Sequence, residues 1–275
     1  MAVKCIALDL DRTTLNANGT LSQGNREAIE YAIQKGVHIV VASGRAFHTL
    51  PKDVVEIEGI EYAITSNGTA IYHIPTGECL HQYKLSRDSI EEIIRLSKNE
   101  KVTYETFIDG KAYADSTYID QPEIFGANKQ AIAYIKETRH MVKNIEQFMN
   151  DHIEEMDCMD IITKDNELKR SLMEQLRNNV EGIYVTSSIE QLIEISNAQA
   201  GKHSGVKFIM ELLGLEREEI AAFGDGDNDI EMLKFVGTGI AVENASNQCK
   251  SVADVVTKHH NEDGVAYGIY EILKI

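Results

Sequence analysis

The sequence predicts an α/β protein in which a parallel sheet is interrupted by an inserted α+β module. Short apolar runs typical of buried strands alternate with amphipathic helical stretches near both ends of the chain, and this alternation favours parallel strands joined by crossovers. Several of these runs end in small polar residues, as expected for strand ends at one sheet edge. Residues 84–198 show a hairpin pattern instead. We therefore predict a core of residues 1–83 and 199–275, with residues 84–198 inserted into it.

Composition and charge limit the classes of function. The 275 residues are 43% hydrophobic, enough for one large or two modest cores of a soluble protein. The formal net charge of -17 disfavours nucleic acids and anionic membranes as partners. No apolar run approaches the roughly 18 residues of a membrane span and no signal segment is evident, so we expect a cytoplasmic protein. The cysteine spacing favours reduced structural thiols, and we expect a monomer or weak homo-oligomer.

The first predicted strand ends in two carboxylates. Residues 4–8 form a short apolar run, and Asp9 and Asp11 follow it. Ligands of open α/β sheets bind beyond the carboxyl ends of the strands, so these two side chains are candidates for chemistry. A helix is expected next, with Ser22 capping its first turn and its end near Lys35.

Two further strands of the first half end in polar loops. The run at 37–42 stops at Ser43-Gly44-Arg45, and the run at 62–65 stops at Ser66-Asn67-Gly68. Parallel strands would bring both loops to the same edge as Asp9. A hairpin is predicted from residue 70 to residue 83.

The inserted segment is predicted to be an antiparallel α+β module. The apolar spacing of residues 86–98 indicates an amphipathic helix, and Asp109-Gly110 between two strand-like runs is a strong hairpin signal. Residues 121–150 are polar and show no interpretable pattern. The other predicted elements are a strand at 159–162, a helix at 167–178 and a hairpin at 183–195.

The α/β alternation resumes with a helix that begins at Lys202. The next strand, residues 219–223, runs into a second carboxylate cluster, Gly224-Asp225-Gly226-Asp227-Asn228-Asp229. Two short strands at 237–242 and 255–256 and a closing helix at 265–274 complete the predicted core.

The spacing of these groups limits their chemistry. Carboxylates at neighbouring strand ends make an all-oxygen site that suits Mg²⁺, which prefers a few carboxylates together with waters and a phosphate. The cation would bridge the carboxylates to a phosphate that they otherwise repel, and Lys202 would add a second positive charge. In that setting Asp9 is a candidate nucleophile and Asp11 a candidate acid and base. Ser43 and the Gly44 amide, expected at the start of a helix, are candidates for holding phosphate oxygens.

These segments, taken in order, resemble a known set of motifs. Asp9-Leu10-Asp11-x-Thr13, Ser43-Gly44-Arg45 with Ser66-Asn67-Gly68, Lys202, and the Gly224–Asp229 run resemble the four ordered motifs of the haloacid dehalogenase superfamily. The inserted module, between the second and third motifs, is similar to the C2B cap of the Cof-type subfamily. The resemblance extends over almost the whole chain.

The resemblance implies a Rossmann-like core with a cap and a Mg²⁺-dependent phosphatase that acts on small phosphorylated metabolites through an aspartyl phosphate. Sugar phosphates, nucleotides and phosphorylated cofactors are all candidate substrates. By position it implies that Asp9 is nucleophile and metal ligand, that Asp11 is the acid and base and binds metal through its backbone carbonyl, and that Asp225 is a metal ligand. Asn228 and Asp229 would support metal and phosphate, Ser43 and Gly44 would bind phosphate, and Lys202 would steady the charge on Asp9 and the phosphoryl group.

The chain departs from the motif beside the second aspartate. Arg12 stands where the superfamily usually has glycine, and Thr14 where it usually has leucine. Arg12 is therefore expected either to adopt a strained turn or to point its cation towards the cap, where it would bind an anionic substrate or pair with aspartates and slow turnover. Arg45 and Asn67 are further candidates for contact with substrate or cap, with ion pairing and turn formation as their structural alternatives.

Other interpretations of the same residues fit the sequence poorly. A calcium-binding loop that starts at Asp225 is excluded, because Ile230 stands where that motif requires glycine and Val236 where it requires glutamate. Ser43 lacks the first glycine of a nucleophilic G-x-S-x-G turn, and His259-His260 is expected to be a solvated loop. Two other functions stay open: a non-catalytic or regulatory phospholigand-binding protein, which the Arg12 departure favours, and a phosphomutase.

Overall fold

The computed structural model describes residues 2–275, with all of their side chains except that of Gln130. The chain divides into two compact units. The core unit contains the residues up to His81 together with Gly201–Ile275, and the inserted unit contains Gln82–Ala200. Over residues 2–275, no helix combines the length and the apolar character that crossing a bilayer requires.

An eight-stranded sheet forms the centre of the core unit. Numbered along the whole chain, its strands are β1 (Cys5–Leu8), β2 (His38–Ala42), β3 (Ile60–Thr65), β4 (Ala70–His73), β5 (Glu78–Gln82), β12 (Ile220–Gly224), β13 (Thr238–Ala241) and β14 (Val255–Val256). Their order in the sheet is β14-β13-β12-β1-β2-β3-β4-β5. The strands from β14 to β3 are parallel neighbours, and β4 pairs antiparallel with β3. This parallel-rich sheet confirms the predicted α/β class.

Helices bury both faces of this sheet. They are α1 (Gln23–Gln34), α2 (Lys52–Val55), α8 (Lys202–Leu213), α9 (Ile230–Phe235), α10 (Asn247–Val252) and α11 (Gly264–Tyr267). Ile6 and Leu8 of β1 belong to the apolar cluster that contains Ile29 of α1, whereas Ala7 belongs to the cluster that contains Val206 of α8. Because successive side chains of a strand point to opposite faces, β1 is a central strand that is covered on both sides.

Helix α1 begins where the sequence predicts. The Ser22 hydroxyl oxygen accepts a hydrogen bond from the Asn25 amide at 3.2 Å and so satisfies one of the free amides of the first turn. At the other end of the core unit, the predicted closing helix is shorter than expected, because α11 passes into wider helical turns at Gly268–Ile272.

The inserted unit contains a six-stranded sheet in the order β10-β11-β9-β6-β7-β8. The strands are β6 (Thr103–Ile108), β7 (Lys111–Asp115), β8 (Arg139–Val142), β9 (Cys158–Ile162), β10 (Ile183–Thr186) and β11 (Leu192–Asn197). The helices are α3 (Arg87–Ser97), α4 (Ser116–Asp120), α5 (Lys129–Thr138), α6 (Ile145–Asp151) and α7 (Asn166–Asn179). Both predicted hairpins of this unit are antiparallel pairs, β6 with β7 and β10 with β11.

One pair of strands in the inserted unit is not antiparallel. β8 lies parallel to β7, which differs from the prediction of a wholly antiparallel module. The physical reason is the connection: α4 and α5 lie between the two strands and form the long crossover that a parallel neighbour requires. β8 falls within residues 121–150, the segment whose pattern could not be interpreted.

Candidate active site

The turn after β1 places Asp9 and Asp11 in different environments. The Asp9 amide donates to the Phe223 carbonyl oxygen at 3.1 Å, which continues the pairing of β1 with β12. The Thr14 hydroxyl donates to the Asp9 carbonyl oxygen at 2.5 Å and closes the turn. As a result the side chain of Asp9 is buried at the strand end, whereas that of Asp11 is 52% exposed.

Lys202 joins two carboxylates from different strands. Its Nζ donates to Asp9 Oδ1 and to Asp229 Oδ1, each at 2.6 Å, and all three side chains are buried. The structure therefore brings together three residues that are up to 220 positions apart in the chain, directly after β1, in the short 3₁₀ segment Asp227–Asp229 that follows β12, and at the start of α8. Lys202 is thus buried, whereas most lysines lie on the protein surface.

Both carboxylate oxygens of Asp229 accept hydrogen bonds from groups of the cluster. Its Oδ2 accepts from the amides of Asp225 and Gly226 at 2.9 and 3.0 Å, and its Oδ1 is held by Lys202. Carboxylate oxygens of Asp9, Asp225 and Asp229 lie within 4.8 Å of one another. Among the described residues, Asp9 Oδ2 is a buried oxygen without a hydrogen-bond partner. Asp9 and Asp225 are therefore the residues of this cluster with oxygens available to a cation.

The charges of the cluster favour an additional cation. Burial, followed by repulsion from Asp229, raises the pKa of Asp9 well above its usual range, and Lys202 opposes this shift. Burial and Asp229 likewise raise the pKa of Asp225 to about 7, against the lowering effect of Arg12 and Lys202. Three buried carboxylates face a single buried ammonium, so full ionisation leaves an excess of negative charge in a poorly solvated site. An oxygen-only site of this charge fits Mg²⁺.

Arg45 binds the carboxylate of Asp11. Its Nε donates to Asp11 Oδ2 at 2.8 Å and its Nη2 to Asp11 Oδ1 at 2.6 Å. This bidentate, or two-pronged, ion pair fixes the plane of the carboxylate. The guanidinium also donates to the Thr49 carbonyl oxygen at 3.4 Å. The contact of Arg45 with a substrate stays a prediction, and its structural alternative, pairing with a neighbouring acid, is present.

The loop after β2 differs from the expected helix start. Ser43 and Arg45 bond with the backbone of β3 and of the turn after it: the Ser43 amide donates to the Ile64 carbonyl oxygen at 2.8 Å, and the Ser66 amide to that of Arg45 at 2.9 Å. Because these bonds hold the segment against β3 and the turn after it, the chain bends at Gly44 and Arg45 without forming a helical turn, and the prediction that Ser43 and Gly44 open a helix is wrong. The next regular turn is the short 3₁₀ segment Phe47–Thr49. Ser43 is nevertheless buried beside the cluster loops, with its Oγ accepting from the Arg45 amide at 3.1 Å.

Asn67 and Asn228 meet although they come from separate motifs. Asn228 Nδ2 donates to Asn67 Oδ1 at 2.9 Å. Asn67 lies in a turn with a φ of 56°, a left-handed conformation that asparagine tolerates better than most residues. Asn67 therefore does more than close a turn, since its side chain fixes the amide of Asn228.

Arg12 adopts the strained turn that the sequence suggested. Its φ is 62°, and its Nε lies 3.7 Å from Asp225 Oδ2. Asn244, a residue that sequence reasoning missed, lies next to it. Asn244 Nδ2 donates to the Arg12 carbonyl oxygen at 2.8 Å, and Asn244 Oδ1 accepts from the amide of His260 at 3.0 Å. No local pattern identifies Asn244, because its partners are distant in the sequence.

His260 contradicts the prediction of a solvated loop. Its ring is buried, and its Nδ1 lies 2.9 Å from the Leu15 carbonyl oxygen, to which the ring N–H donates. This contact ties the C-terminal segment to the turn that carries Arg12. His259 instead caps a short turn by accepting from the Asn261 amide at 3.1 Å.

The fold and the arrangement of this site agree with a comparison of the chain with protein families. The family model of haloacid dehalogenase-like hydrolases matches residues 6–269. The chain belongs to the haloacid dehalogenase-like hydrolases. The family match covers every residue of the cluster, from Asp9 to Asp229.

Individual haloacid dehalogenase-like proteins are similar over the whole length. The 5-amino-6-(5-phospho-D-ribitylamino)uracil phosphatase YwtE of Bacillus subtilis (strain 168) is 30% identical over 292 residues, which cover 98% of both chains. Phosphatase YwpJ of the same organism is 29% identical over 286 residues, covering 98% of this chain and 100% of that protein. The solved structure of a haloacid dehalogenase-like hydrolase from B. subtilis matches with a TM-score of 0.86 and 26% identity, over 98% of this chain and 100% of that one.

Proposed function

We propose that this chain is a phosphatase that hydrolyses small phosphate monoesters at the carboxylate cluster of the core unit. The observation that carries the proposal is Asp9 Oδ2, a buried oxygen for which the described residues offer no hydrogen-bond donor, on a carboxylate held by the ammonium of Lys202. A buried carboxylate oxygen in this state is available to a phosphorus atom or a cation. The similarity to proteins named as phosphatases supports the same activity.

The proposed reaction has two displacement steps at phosphorus. In the first, the Asp9 carboxylate attacks phosphorus, the bond to the leaving oxygen breaks, and the Asp11 carboxyl group gives its proton to that oxygen. The products are an alcohol and an aspartyl phosphate on Asp9. In the second, water attacks phosphorus while Asp11 takes one of its protons, and the bond between phosphorus and Asp9 breaks. Inorganic phosphate leaves, and both aspartates return to their starting states.

We propose that Mg²⁺ binds to the carboxylates of Asp9 and Asp225 and to the backbone carbonyl of Asp11, with Asp229 behind them. The oxygen-only donor set and the excess negative charge of the cluster support this assignment. When bound, Mg²⁺ would neutralise the carboxylates and the phosphate that they must accept. Asp229 keeps the backbone of Asp225 and Gly226 in place because its Oδ2 accepts hydrogen bonds from both of their amides.

Phosphate binding is assigned to the remaining polar groups around the cluster. Lys202 supplies a fixed positive charge at Asp9, and its contact with Asp229 keeps its ammonium in the site. Ser43 and the Gly44 amide are proposed to hold phosphate oxygens, together with the amide of Asn228 that Asn67 orients. These groups donate hydrogen bonds or carry positive charge, which is what a phosphate requires.

The substrate is proposed to be a small phosphorylated metabolite, and the inserted unit is proposed to be its C2B-type cap. Sugar phosphates, nucleotides and phosphorylated cofactors remain the candidate classes, and the similarity to YwtE makes a phosphorylated ribityl compound a natural first choice in a screen. Arg12, Arg45 and Asn67 are proposed to face the leaving group. Cytoplasmic location, a monomer or weak homo-oligomer, and no nucleic-acid or membrane partner remain expectations from composition and charge.

Release of inorganic phosphate tests the activity. The full chain is incubated with an aryl phosphate and then with a panel of phosphorylated metabolites, in Mg²⁺ and in chelator. We expect Mg²⁺-dependent release that Asp9→Asn abolishes, because an amide is a poor nucleophile. Asp227→Asn is the matched control, since it removes one carboxylate from the same loop as Asp225 but outside the cluster, and it should keep most of the activity.

Two outcomes would favour the other functions. If the unsubstituted chain releases no more phosphate than Asp9→Asn but binds phosphorylated compounds, it is a phospholigand-binding protein. The ion pair between Arg45 and Asp11 is the observation that supports this second function, since it occupies the proposed acid. If the phosphoryl group is returned to another hydroxyl of the same substrate and little phosphate is freed, the chain is a phosphomutase.

A further inference from the structure

Arg12 is a non-glycine residue held in a left-handed turn. Its φ and ψ are 62° and 12°, a conformation in which the Cβ of most L-residues crowds the backbone. Two contacts hold the turn in place. Asn244 donates to the Arg12 carbonyl oxygen at 2.8 Å, and the Leu15 amide donates to the Leu10 carbonyl oxygen at 2.9 Å across the turn. The direction of the Arg12 side chain is therefore fixed from its first atoms.

The guanidinium of Arg12 lies at the carboxylate of Asp225. Nε is 3.7 Å from Asp225 Oδ2, and the side chain of Arg12 is 61% exposed whereas that of Asp225 is 11% exposed. A solvent-facing cation thus reaches a carboxylate that is almost buried. An ion pair with one buried partner is screened less by solvent and salt than a pair on the open surface.

The other cation of the cluster does not bond to Asp225. Lys202 gives its hydrogen bonds to Asp9 and Asp229. The side-chain hydrogen bond that Asp225 accepts comes from the Thr13 hydroxyl at 3.4 Å, a long contact. Within residues 2–275, Arg12 is therefore the cation paired with Asp225, and this carboxylate is one of the two with an oxygen available to a metal.

We propose that Arg12 is a built-in competitor for the divalent cation: its guanidinium neutralises Asp225 in the metal-free protein and is displaced when the metal binds. The inference rests on the proposed function, because it takes Asp225 as a metal ligand. Two cations cannot approach the same carboxylate without mutual repulsion, so each weakens the binding of the other. The chain therefore binds its metal less tightly than the same site without the guanidinium.

Binding of Mn²⁺ to the full chain is the direct test, because free Mn²⁺ can be measured by electron paramagnetic resonance without substrate or turnover. Arg12→Gln removes the charge and keeps a non-glycine residue in the turn, whereas Arg12→Gly also relieves the backbone. We expect both to bind Mn²⁺ more tightly than the unsubstituted chain, roughly tenfold. Arg12→Lys keeps the positive charge and should stay within about threefold.

Lys207→Gln is the matched control for net charge. Lys207 is an exposed residue of α8 in the same unit, and its removal should change the Mn²⁺ affinity by less than about twofold because solvent screens it. If Arg12→Gln and Arg12→Gly bind Mn²⁺ no more tightly than Lys207→Gln does, or bind it more weakly, the competition does not exist. The melting temperature of each variant, measured in chelator, identifies any variant that fails to fold. If Arg12→Gln fails to fold, the Mn²⁺ affinity of Arg12→Gly is compared with that of Lys207→Gln instead.

Asp225→Asn separates this inference from the proposed function. If the unsubstituted chain binds Mn²⁺ and Asp225→Asn weakens that binding, the metal site stands whatever the Arg12 variants do. If Asp225→Asn leaves the affinity unchanged, Asp225 is not a ligand, and both the metal assignment and the competition are overturned.

Discussion

At the scale of single residues, any acid–base role of Asp11 depends on its ion pair with Arg45, because both carboxylate oxygens accept hydrogen bonds from the guanidinium. The two-pronged ion pair holds the carboxylate at 2.6 and 2.8 Å from the guanidinium. Such a pair limits the rotation of the carboxylate and so favours a single orientation for proton transfer. It also competes with any proton or substrate group that approaches the same oxygens. The effect of an Arg45 substitution on kcat therefore depends on which is larger, the lost orientation of the Asp11 carboxylate or the relieved competition for its oxygens.

We expect orientation to dominate. Arg45→Gln should lower kcat for aryl phosphate hydrolysis by roughly 10- to 100-fold, because a freely rotating Asp11 spends less time aligned with the leaving oxygen. Mn²⁺ affinity should stay unchanged, since Asp9 and Asp225 are untouched. Arg95→Gln is the matched control: Arg95 makes the same two-pronged pair with Glu92 on the exposed face of α3, and kcat should not change. A rise in kcat for Arg45→Gln would instead identify the ion pair as a brake.

Single residues differ in how far the sequence predicts them. Asp9 follows directly from the end of a buried strand, because strand ends of a parallel sheet converge on one edge. Ion pairing of Arg45 was one of the predicted alternatives, but the sequence could not identify Asp11 as its partner, since the pairing depends on the path of a long side chain across two loops. Asn244 and His260 were missed for a related reason. Their partners, Arg12 and Leu15, lie more than 200 residues away in the chain, and no local pattern reports such contacts.

At the scale of secondary-structure elements, the approach of β3 to α8 positions Lys202. Gly68 lies in the turn after β3 with a φ of 91°, and a Cβ at this position would lie 2.1 Å from the carbonyl oxygen of Gly201. The residue after Gly201 is Lys202, the first residue of α8. The turn and the helix start therefore touch through backbone atoms at a glycine, and a side chain there would push the lysine away from Asp9.

Gly68→Ala should therefore damage both stability and activity. We expect a loss of roughly 2 to 4 kcal/mol in the free energy of unfolding, from the left-handed backbone and the clash with Gly201 together, and a parallel loss of phosphatase activity. Gly77→Ala is the control: it has a φ of 70° but no atom within 4 Å of its Cβ position, so it should cost about 1 kcal/mol and leave activity intact. Equal effects of the two substitutions in urea unfolding would show that the contact with Gly201 is unimportant.

The elements that the sequence predicts well are those with a strong apolar period or a clear turn. β1, α1, α7 and the hairpin at Asp109-Gly110 lie where the pattern places them. The segment after β2 was wrongly expected to start a helix, because backbone bonds to β3 and to the turn after it determine its path, and these bonds join residues that are distant in the sequence. β8 was missed because its four residues carry little alternation, being only half-buried or exposed.

At the scale of the whole molecule, the chain has separate apolar cores for its two units. Two buried clusters belong to the core unit, and two others belong to the inserted unit. A unit with its own core unfolds with its own dependence on solvent conditions. We therefore expect metal binding to stabilise the core unit, which holds the carboxylate cluster. The stability of the inserted unit should instead depend on pH, through a titrating group of its own.

That group is Asp157, a buried residue of the inserted unit. Gln82 Nε2 donates to its Oδ1 at 2.5 Å, and burial raises its pKa to about 7, against the lowering effect of Lys84. Between the ordinary aspartate pKa and about 7, the folded unit keeps a proton on Asp157 that the unfolded chain has lost. The stability that this residue contributes is therefore complete at low pH and decreases as the pH rises towards 7.

Replacing Asp157 by asparagine should reduce this decrease; Asp160, buried in the same unit with a pKa that burial and Glu194 raise, keeps its own contribution. We expect the unfolding free energy of the inserted unit in the unsubstituted chain to fall by roughly 1 to 4 kcal/mol between pH 5 and pH 8, and Asp157→Asn to weaken that dependence because an amide does not titrate. Hydrogen exchange of peptides from residues 82–200, measured at several urea concentrations, reports this unit separately from the core unit. Asp120→Asn, at an exposed carboxylate of the same unit, should keep the full pH dependence. If Asp157→Asn keeps it as well, Asp157 is ionised in the folded protein at pH 5, and some other group links the inserted unit to acidity.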